Sequence, residues 1–371
     1  MKILYVISTT DMGGAEKALL SLSQRMVQNG HIVKVLSLRS KGPIAHLLEK
    51  AGVEVVSYAE RKSREGSIRW ITQNIQDFQP DIVHAMLLRA IEYTRLACQN
   101  LSIHLVTTPH FDLSKKNFLF RTADRFLKGV DTVTVAESQT NKKYLVDKQK
   151  YSKEKTIYIG NSPPTGSFFP DINIRQEMRQ KWGFTDEEVV FITVARLSVE
   201  KNHSSLLEAF AQVYKKRPFV RLVLVGKGAE EFKLKQLVKK EKIEDVVLFA
   251  GEQENVQPWL NLADCFVLVS NAELLPLSLL EALQAGLPCI VSNKGDMPLW
   301  VNNGKNGFVL NSKDKTLLSC FLSEVADNPD LRKKMATASL EKTKEIKNDF
   351  QCYQQLYQQV MEGSFHVKTF N

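Results

Sequence analysis

Two acids and two cations stand out for what their spacing could do. Glu273 and Glu281 lie eight positions apart in Ser270-Asn271-Ala272-Glu273-Leu274-Leu275-Pro276-Leu277-Ser278-Leu279-Leu280-Glu281, among neighbours that are mostly apolar or small. Carboxylates in such company are costly to keep unless something polar compensates them, and two at this spacing can hold different hydroxyls of one extended ligand. The cations are Arg196 and Lys201, in Val194-Ala195-Arg196-Leu197-Ser198-Val199-Glu200-Lys201-Asn202-His203. Arg supplies a planar fork of donors and Lys a compact charge. Together they suit a diphosphate.

Both pairs follow runs that read as buried strands. Cys265–Val269 and Val189–Ala195 are short, continuous and apolar, which is the pattern of a strand covered on both faces. Glu273 therefore falls in a loop at a strand's carboxyl end, and Glu281 on the helix that starts just after. Arg196 and Lys201 share the loop before a helix whose buried face is Leu206, Leu207, Ala209 and Phe210, with Asn202 or Ser204 as its cap. Open α/β sheets bind ligands at the carboxyl ends of their strands, and a helix start favours an anion.

Other candidates are single residues. His110 follows the strand His104–Thr108 and is placed to hydrogen-bond a hydroxyl and respond to charge. His84 is a similar but weaker candidate, and His31, His46 and His203 suggest no chemistry. Gly13 and Gly14, in Thr10-Asp11-Met12-Gly13-Gly14-Ala15-Glu16-Lys17, let the backbone approach a ligand at a helix start. Their spacing is not G-x-G-x-x-G, and Gly226-Lys227-Gly228 is no Walker loop. No D-x-D occurs, and the E-x-E of Glu252-Gln253-Glu254 reads as solvated, so no metal site is expected.

The elements that must position these residues alternate from end to end. Strands are expected at Lys2–Ile7, Ile32–Leu38, Val53–Tyr58, Ile82–Ala85, His104–Thr108, Thr132–Val135 and Ile157–Gly160, then at Val189–Ala195, Arg221–Val225, Val246–Gly251, Cys265–Val269 and Cys289–Ser292. Helical patterns separate them, the signature of parallel sheets built from βαβ units. The stretch 161–170, dense in Pro, Gly and Ser, is the natural linker. The expected fold class is α/β, with two Rossmann-like domains facing across a cleft. They cover 1–165 and 166–349. A helix over about 349–363 closes the chain, and the residues beyond it form a loose tail.

Composition limits the alternatives. At 371 residues with 43% hydrophobic and 25% charged content, the chain supports two full cores. No apolar run approaches the roughly 18 residues of a membrane-spanning helix. The start, Met1–Ile7, is too short in its apolar core for a signal peptide and reads as a first strand. The five scattered cysteines look like small core residues of a cytoplasmic protein. Residues 1–170 hold 24 Lys and Arg against 15 Asp and Glu, while residues 171–371 hold 26 against 26, so the whole excess of +9 lies in the first half. Segment 115–150 carries Lys115, Lys116, Arg121, Arg125, Lys128, Lys142, Lys143, Lys148 and Lys150, interleaved with Phe118, Leu119, Phe120, Phe126 and Leu127. That pattern points to an anionic membrane surface or an anionic acceptor. Without any accompanying motif, nucleic acid is not expected as a partner.

The pattern of Glu273 and Glu281, with Arg196 and Lys201 upstream, resembles the signature of the retaining GT4-family glycosyltransferases of GT-B fold. The Gly13-Gly14-Ala15-Glu16 run is also frequent there. The resemblance covers about residues 1–360 and is more specific in the second half. It implies that Glu273 contacts hydroxyls of the donated sugar, that Glu281 holds the ribose, and that Arg196 and Lys201 hold the leaving diphosphate. Gly13 and Gly14 would approach donor phosphate or acceptor, and His110 the sugar near its reacting carbon. The implied donor-binding set is Gly13, Gly14, Arg196, Lys201, Glu273, Leu274, Leu275, Pro276 and Glu281, and the catalytic set His110, Arg196, Lys201 and Glu273. In the GT-B fold the last helix crosses back onto the first domain.

The implied activity is a retaining, metal-independent transfer from a nucleotide-sugar, with uridine favoured over guanosine, to a glycan or lipid-linked acceptor. No cofactor is expected beyond the nucleotide-sugar co-substrate. The expected setting is bacterial surface glycan or lipid-linked oligosaccharide assembly, in the cytoplasm or on the inner face of the membrane. Two departures stand out: Leu274 occupies the position where the family usually has Gly, and Asn161-Ser162 stands for its Asn-Gly. Two other readings fit the scaffold, a UDP-sugar epimerase and a non-catalytic subunit that only binds or scaffolds.

Overall fold

The computed structural model describes residues 1–58, 63–110, 113, 116–160, 162–163 and 166–365. Three residues of the expected linker (161, 164, 165), Lys115 of the basic segment, and the last six residues of the tail lie outside the described residues. The chain forms two compact units, residues 1–161 with 348–371, and residues 162–347. These divisions fall a few residues from the expected 165/166 and 349/350.

The first unit carries a parallel sheet of β1 (Lys2–Ile7), β2 (Ile32–Ser37), β3 (Glu54–Ser57), β4 (Ile82–Met86), β5 (His104–Thr108), β6 (Val133–Ala136) and β7 (Thr156–Tyr158). Its order is β3-β2-β1-β4-β5-β6-β7. The continuous apolar runs mark strands covered on both faces: Ile3, Tyr5 and Ile7 enter one apolar cluster and Leu4 and Val6 the other.

The second unit carries β8 (Val189–Val194), β9 (Val220–Val225), β10 (Val247–Gly251), β11 (Cys265–Leu268), β12 (Cys289–Ser292) and β13 (Gly307–Leu310), in the order β10-β9-β8-β11-β12-β13. Phe191, Leu222 and Val267 pack on one face, Ile192, Val223 and Phe266 on the other. Both sheets are doubly wound, and each has a point where the strand order reverses: between β1 and β4 in the first unit, and between β8 and β11 in the second.

β13 was not expected. It is only four residues long and opens on Gly307, where a Cβ would lie 1.8 Å from the Cys289 carbonyl oxygen. The glycine that reads as a breaker in sequence is what lets this edge strand lie against β12.

The C-terminal helix Asp349–Met361 belongs to the first unit and buries Phe350, Tyr353, Leu356, Tyr357 and Val360 in its core. Arg25 Nη2 donates to Asp349 Oδ1 at 2.8 Å, fixing the start of that helix. Among the described residues no helix is long and apolar enough to cross a membrane.

Candidate active site

In the second unit, the sequence-predicted groups gather at the reversal point, where ligands of open α/β sheets bind. β8 and β11 pair in parallel, Cys265 with Phe191 and Phe266 with Ile192, so the loops leaving their carboxyl ends are neighbours. Lys201, from the loop after β8, forms an ion pair with Glu273, from the loop after β11. Their side chains are only 17% and 10% exposed. Ser270 Oγ donates to the same Glu273 oxygen at 2.9 Å, and Ser292 Oγ ties the Ser270 carbonyl at 2.7 Å.

The loops are also stitched through their backbones. Asn271 N donates to the Glu200 carbonyl at 2.7 Å. Asn202 departs from its expected role. It sits at the N-cap of the helix His203–Tyr214 in a left-handed conformation (φ 56°), where its side chain caps no backbone amide of the helix and its Oδ1 accepts from Ser205 Oγ at 2.9 Å. Its Nδ2 instead donates to the carbonyls of Val269 (3.2 Å) and Ser312 (3.0 Å). The residue thus ties the loops after β11 and β13 to the start of this helix.

Arg196 is exposed, and its guanidinium has no ion-pair partner among the described residues. It shares its surroundings with Lys201. Burial would push the Glu200 carboxyl up, but Ser198, its own backbone amide, Arg196 and Lys201 together hold it below its ordinary value. Gly226 and Gly228 gain a purpose here. A Cβ would come 2.0 Å from the Ala195 carbonyl at the first and 2.2 Å from the Leu197 carbonyl at the second, so only glycine lets the β9 loop lie against the Arg196 loop.

Glu281 is half-buried on the helix Leu277–Gln284, which Pro276 opens. Leu275 packs partly into the apolar cluster beneath. The Leu274 carbonyl accepts from Asp296 N at 2.7 Å. The structure thus joins Lys201 to Glu273 directly and sets Arg196 and Glu281 on the flanking elements. His203, dismissed on sequence, is buried with neither ring nitrogen bonded. Burial first, and then Lys201, push it down to about 4.

In the first unit, Gly13 precedes the helix Gly14–Gln28 in extended backbone, with no side-chain cap. The Glu16 carboxylate folds over this start, 2.2 Å from where a Gly13 Cβ would stand, while Gly14 faces open space. His84 is a structural histidine: fully buried, it bonds Tyr357 Oη (2.6 Å) and Thr108 Oγ1 (2.8 Å) and so fixes the C-terminal helix to β5. Burial, with His110 adding to it, pushes it down to about 3.

His110 lies just beyond β5, with its backbone left-handed at φ 49° and its side chain only 4% exposed. It pairs through Nδ1 with Glu137, which the sequence reading missed. The rule that flagged Glu273, an acid just past an apolar strand, would have found it.

The basic segment is the other feature of this unit. In the helix Phe118–Leu127, Phe118, Leu119 and Phe126 are 69%, 76% and 83% exposed. Its buried residue is Asp124, which accepts from Arg95 Nη1 (2.7 Å) and Tyr151 Oη (2.9 Å). Arg95 also grips Asp131, through Nε at 2.8 Å and Nη2 at 2.6 Å. The helix buries its carboxylate and packs Phe120 on a small apolar cluster, while Phe118, Leu119 and Phe126 face solvent, a second apolar face that the core does not use.

Residues 174–342 match the family of glycosyl transferases group 1, and residues 12–162 match glycosyltransferase family 4. Over 165 residues the chain is 30% identical to the N-acetyl-alpha-D-glucosaminyl L-malate synthase of Bacillus anthracis, a match covering 44% of this chain and 43% of that protein. It is 24% identical over 340 residues, 90% of this chain and 93% of the other, to an uncharacterized glycosyltransferase of Haemophilus influenzae. The chain thus spans under half the length of the first relative and nearly all of the second. Among solved structures, Anabaena Alr3699/HepE in complex with UDP and glucose superposes with a TM-score of 0.87 at 19% identity, over 98% of this chain and 100% of that one. At that identity the likeness shows the fold.

Proposed function

The chain belongs to the GT4-type glycosyltransferases of GT-B fold, and from that premise we propose that it transfers a sugar from a UDP-sugar with retention and without a metal ion. The observation that carries this reading is the Lys201–Glu273 pair at the reversal point of the second sheet, with Arg196 beside it. Lys201 and Arg196 stabilise the departing diphosphate, the main charge formed as the bond to the sugar breaks. Glu273 holds sugar hydroxyls and Glu281 the ribose. His110 takes the sugar near its anomeric carbon.

The acceptor oxygen forms its bond to that carbon on the face the diphosphate leaves, and the departing phosphate oxygen takes the acceptor's proton. Uridine as the base is supported by the UDP complexes of the Anabaena protein. A glycan or lipid-linked acceptor in surface glycan assembly is supported by the alpha-monoglucosyldiacylglycerol synthase of Acholeplasma laidlawii, 32% identical over 158 residues. The exposed aromatics and cations of segment 116–150 support docking on the anionic inner face of a membrane.

A thermal-shift screen over nucleotide-sugars, followed by turnover in EDTA with NMR assignment of the product anomer, tests the reading. Stabilisation by a UDP-sugar and an α product from an α donor are expected. Inversion, loss of activity in EDTA, or an epimer formed without acceptor would refute it.

A further inference from the structure

We infer that Glu137 is a positioning residue that fixes which nitrogen of His110 meets the substrate. This deepens the reading above and rests on it for the identity of the ligand, a sugar hydroxyl. The two residues leave the ends of neighbouring strands: β5 and β6 pair in parallel through Val106–Val133 and Thr107–Thr134, with His110 two residues past β5 and Glu137 directly after β6. Both side chains are nearly closed to solvent, 4% and 6% exposed, and His110 Nδ1 meets Glu137 Oε1. The other ring nitrogen, Nε2, is buried and has no hydrogen-bond partner.

An ionised carboxylate only accepts hydrogen bonds, so the proton of a neutral imidazole paired with it must sit on Nδ1. Nε2 is then left as a bare acceptor. A hydroxyl can donate to it, whereas a phosphate oxygen cannot. Leaving such an atom buried and unmatched costs about 1–3 kcal/mol, and the left-handed backbone at His110 adds strain of about 1–3 kcal/mol. The neighbouring elements hold both features in place: Thr108, two residues before His110, is bonded to His84, which is bonded in turn to Tyr357 of the C-terminal helix. Strain and an unmatched acceptor at one residue, held rigidly from two sides, are the marks of a preorganised binding group.

The test uses full-length protein carrying 15N-labelled histidine, with the His110 ring resonances identified by their loss in His110→Gln. The inference requires Nδ1 protonated and Nε2 unprotonated in the wild type, with that preference lost in Glu137→Gln. In turnover assays, Glu137→Gln lowers kcat by about 10- to 100-fold, as misplacement of a reacting group does, while KM for the nucleotide-sugar changes little. Glu137→Asp, which keeps the carboxylate, recovers part of the loss. In a His110→Ala background, Glu137→Gln costs no more than about twofold, because residues acting as one unit are not additive.

A wild-type ring protonated on Nε2, unchanged kcat in a folded Glu137→Gln protein, or losses that multiply in the double variant would each overturn the inference. The ring tautomer decides it even if no nucleotide-sugar is turned over. In that event the functional reading fails while the His110–Glu137 pairing stands or falls by itself.

Discussion

The helix Phe118–Leu127 offers the most direct test of where this enzyme works. Replacing Phe118, Leu119 and Phe126 together by Gln removes the apolar face and keeps good helix formers. These side chains are 69–83% exposed, so about three-quarters of each remains to be buried on docking. Full burial of such a side chain contributes about 1.5–3 kcal/mol, so the three contribute roughly 3–6 kcal/mol if they insert. At 1.4 kcal/mol per decade this is a loss of about 10²- to 10⁴-fold in vesicle affinity. Each cation near an anionic surface adds about 1 kcal/mol, and Arg125, Lys143, Lys148 and Lys150 are exposed in the same segment.

Sedimentation with vesicles of phosphatidylglycerol and phosphatidylcholine, against pure phosphatidylcholine, measures both contributions. Wild type should pellet with the anionic vesicles, weaken as salt rises, and lose nearly all binding in the triple variant. Fold stability should change by no more than about 0.5 kcal/mol, since the side chains leave no core. Equal pelleting of the triple variant and wild type, or no preference for anionic vesicles, would refute the membrane role.

Four further outcomes follow from the packing. Lys201→Ala leaves Glu273, 10% exposed, with only Ser270 among the described residues; stability should fall by about 1–3 kcal/mol and kcat by about 10²- to 10³-fold, and full activity would remove Lys201 from the chemistry. Arg95→Leu strands the buried Asp124 and Asp131 and should cost about 3–5 kcal/mol in urea unfolding, a loss under 1 kcal/mol being the contrary result. His84 and His203, at about 3 and about 4, stay neutral in the folded state at pH values where the unfolded chain binds a proton. Stability is therefore unaffected above about pH 6.5 and falls below it, by about 2 kcal/mol per histidine at pH 5; His203→Leu should flatten that acid limb in thermal melts, and an unchanged slope would count against the assignment. Gly295→Ala puts a Cβ 2.1 Å from the Leu274 carbonyl at φ 54°, so it should shift the Glu273 loop and weaken nucleotide-sugar binding at least about tenfold by calorimetry.

What sequence reading could reach was set by the range of the interactions involved. Strand existence is local, and His104–Thr108 and Cys289–Ser292 coincide with β5 and β12, while β13 hid behind a glycine whose reason is Cys289, distant in sequence. The residue types at the reversal point of the second sheet were legible because spacing after a strand fixes a loop position. That Lys201 touches Glu273 needed the β8–β11 pairing. The burial of His110 was out of reach, since its partner Glu137 comes from another strand end. The outward apolar residues were equally ambiguous: periodicity shows a face, and only Arg95 and Tyr151, distant in the chain, decide that Asp124 is the inner one.

The alternative of a non-catalytic scaffold drew its strength from Leu274, where related proteins usually have Gly. Glycine would be indispensable only if the backbone there were left-handed or pressed against another group. Leu274 is not among the residues with positive φ. The close approach is made from the opposite side, by Gly295, whose Cα faces the carbonyls of Glu273 and Leu274, and Asp296 N clamps the Leu274 carbonyl. The loop therefore keeps its path, and the Lys201–Glu273 pair keeps its geometry, with a leucine in place. What differs is a side chain at the edge of the loop proposed above to hold the sugar, and the backbone that would hold it is unchanged in path. The substitution therefore gives no support to a lost activity.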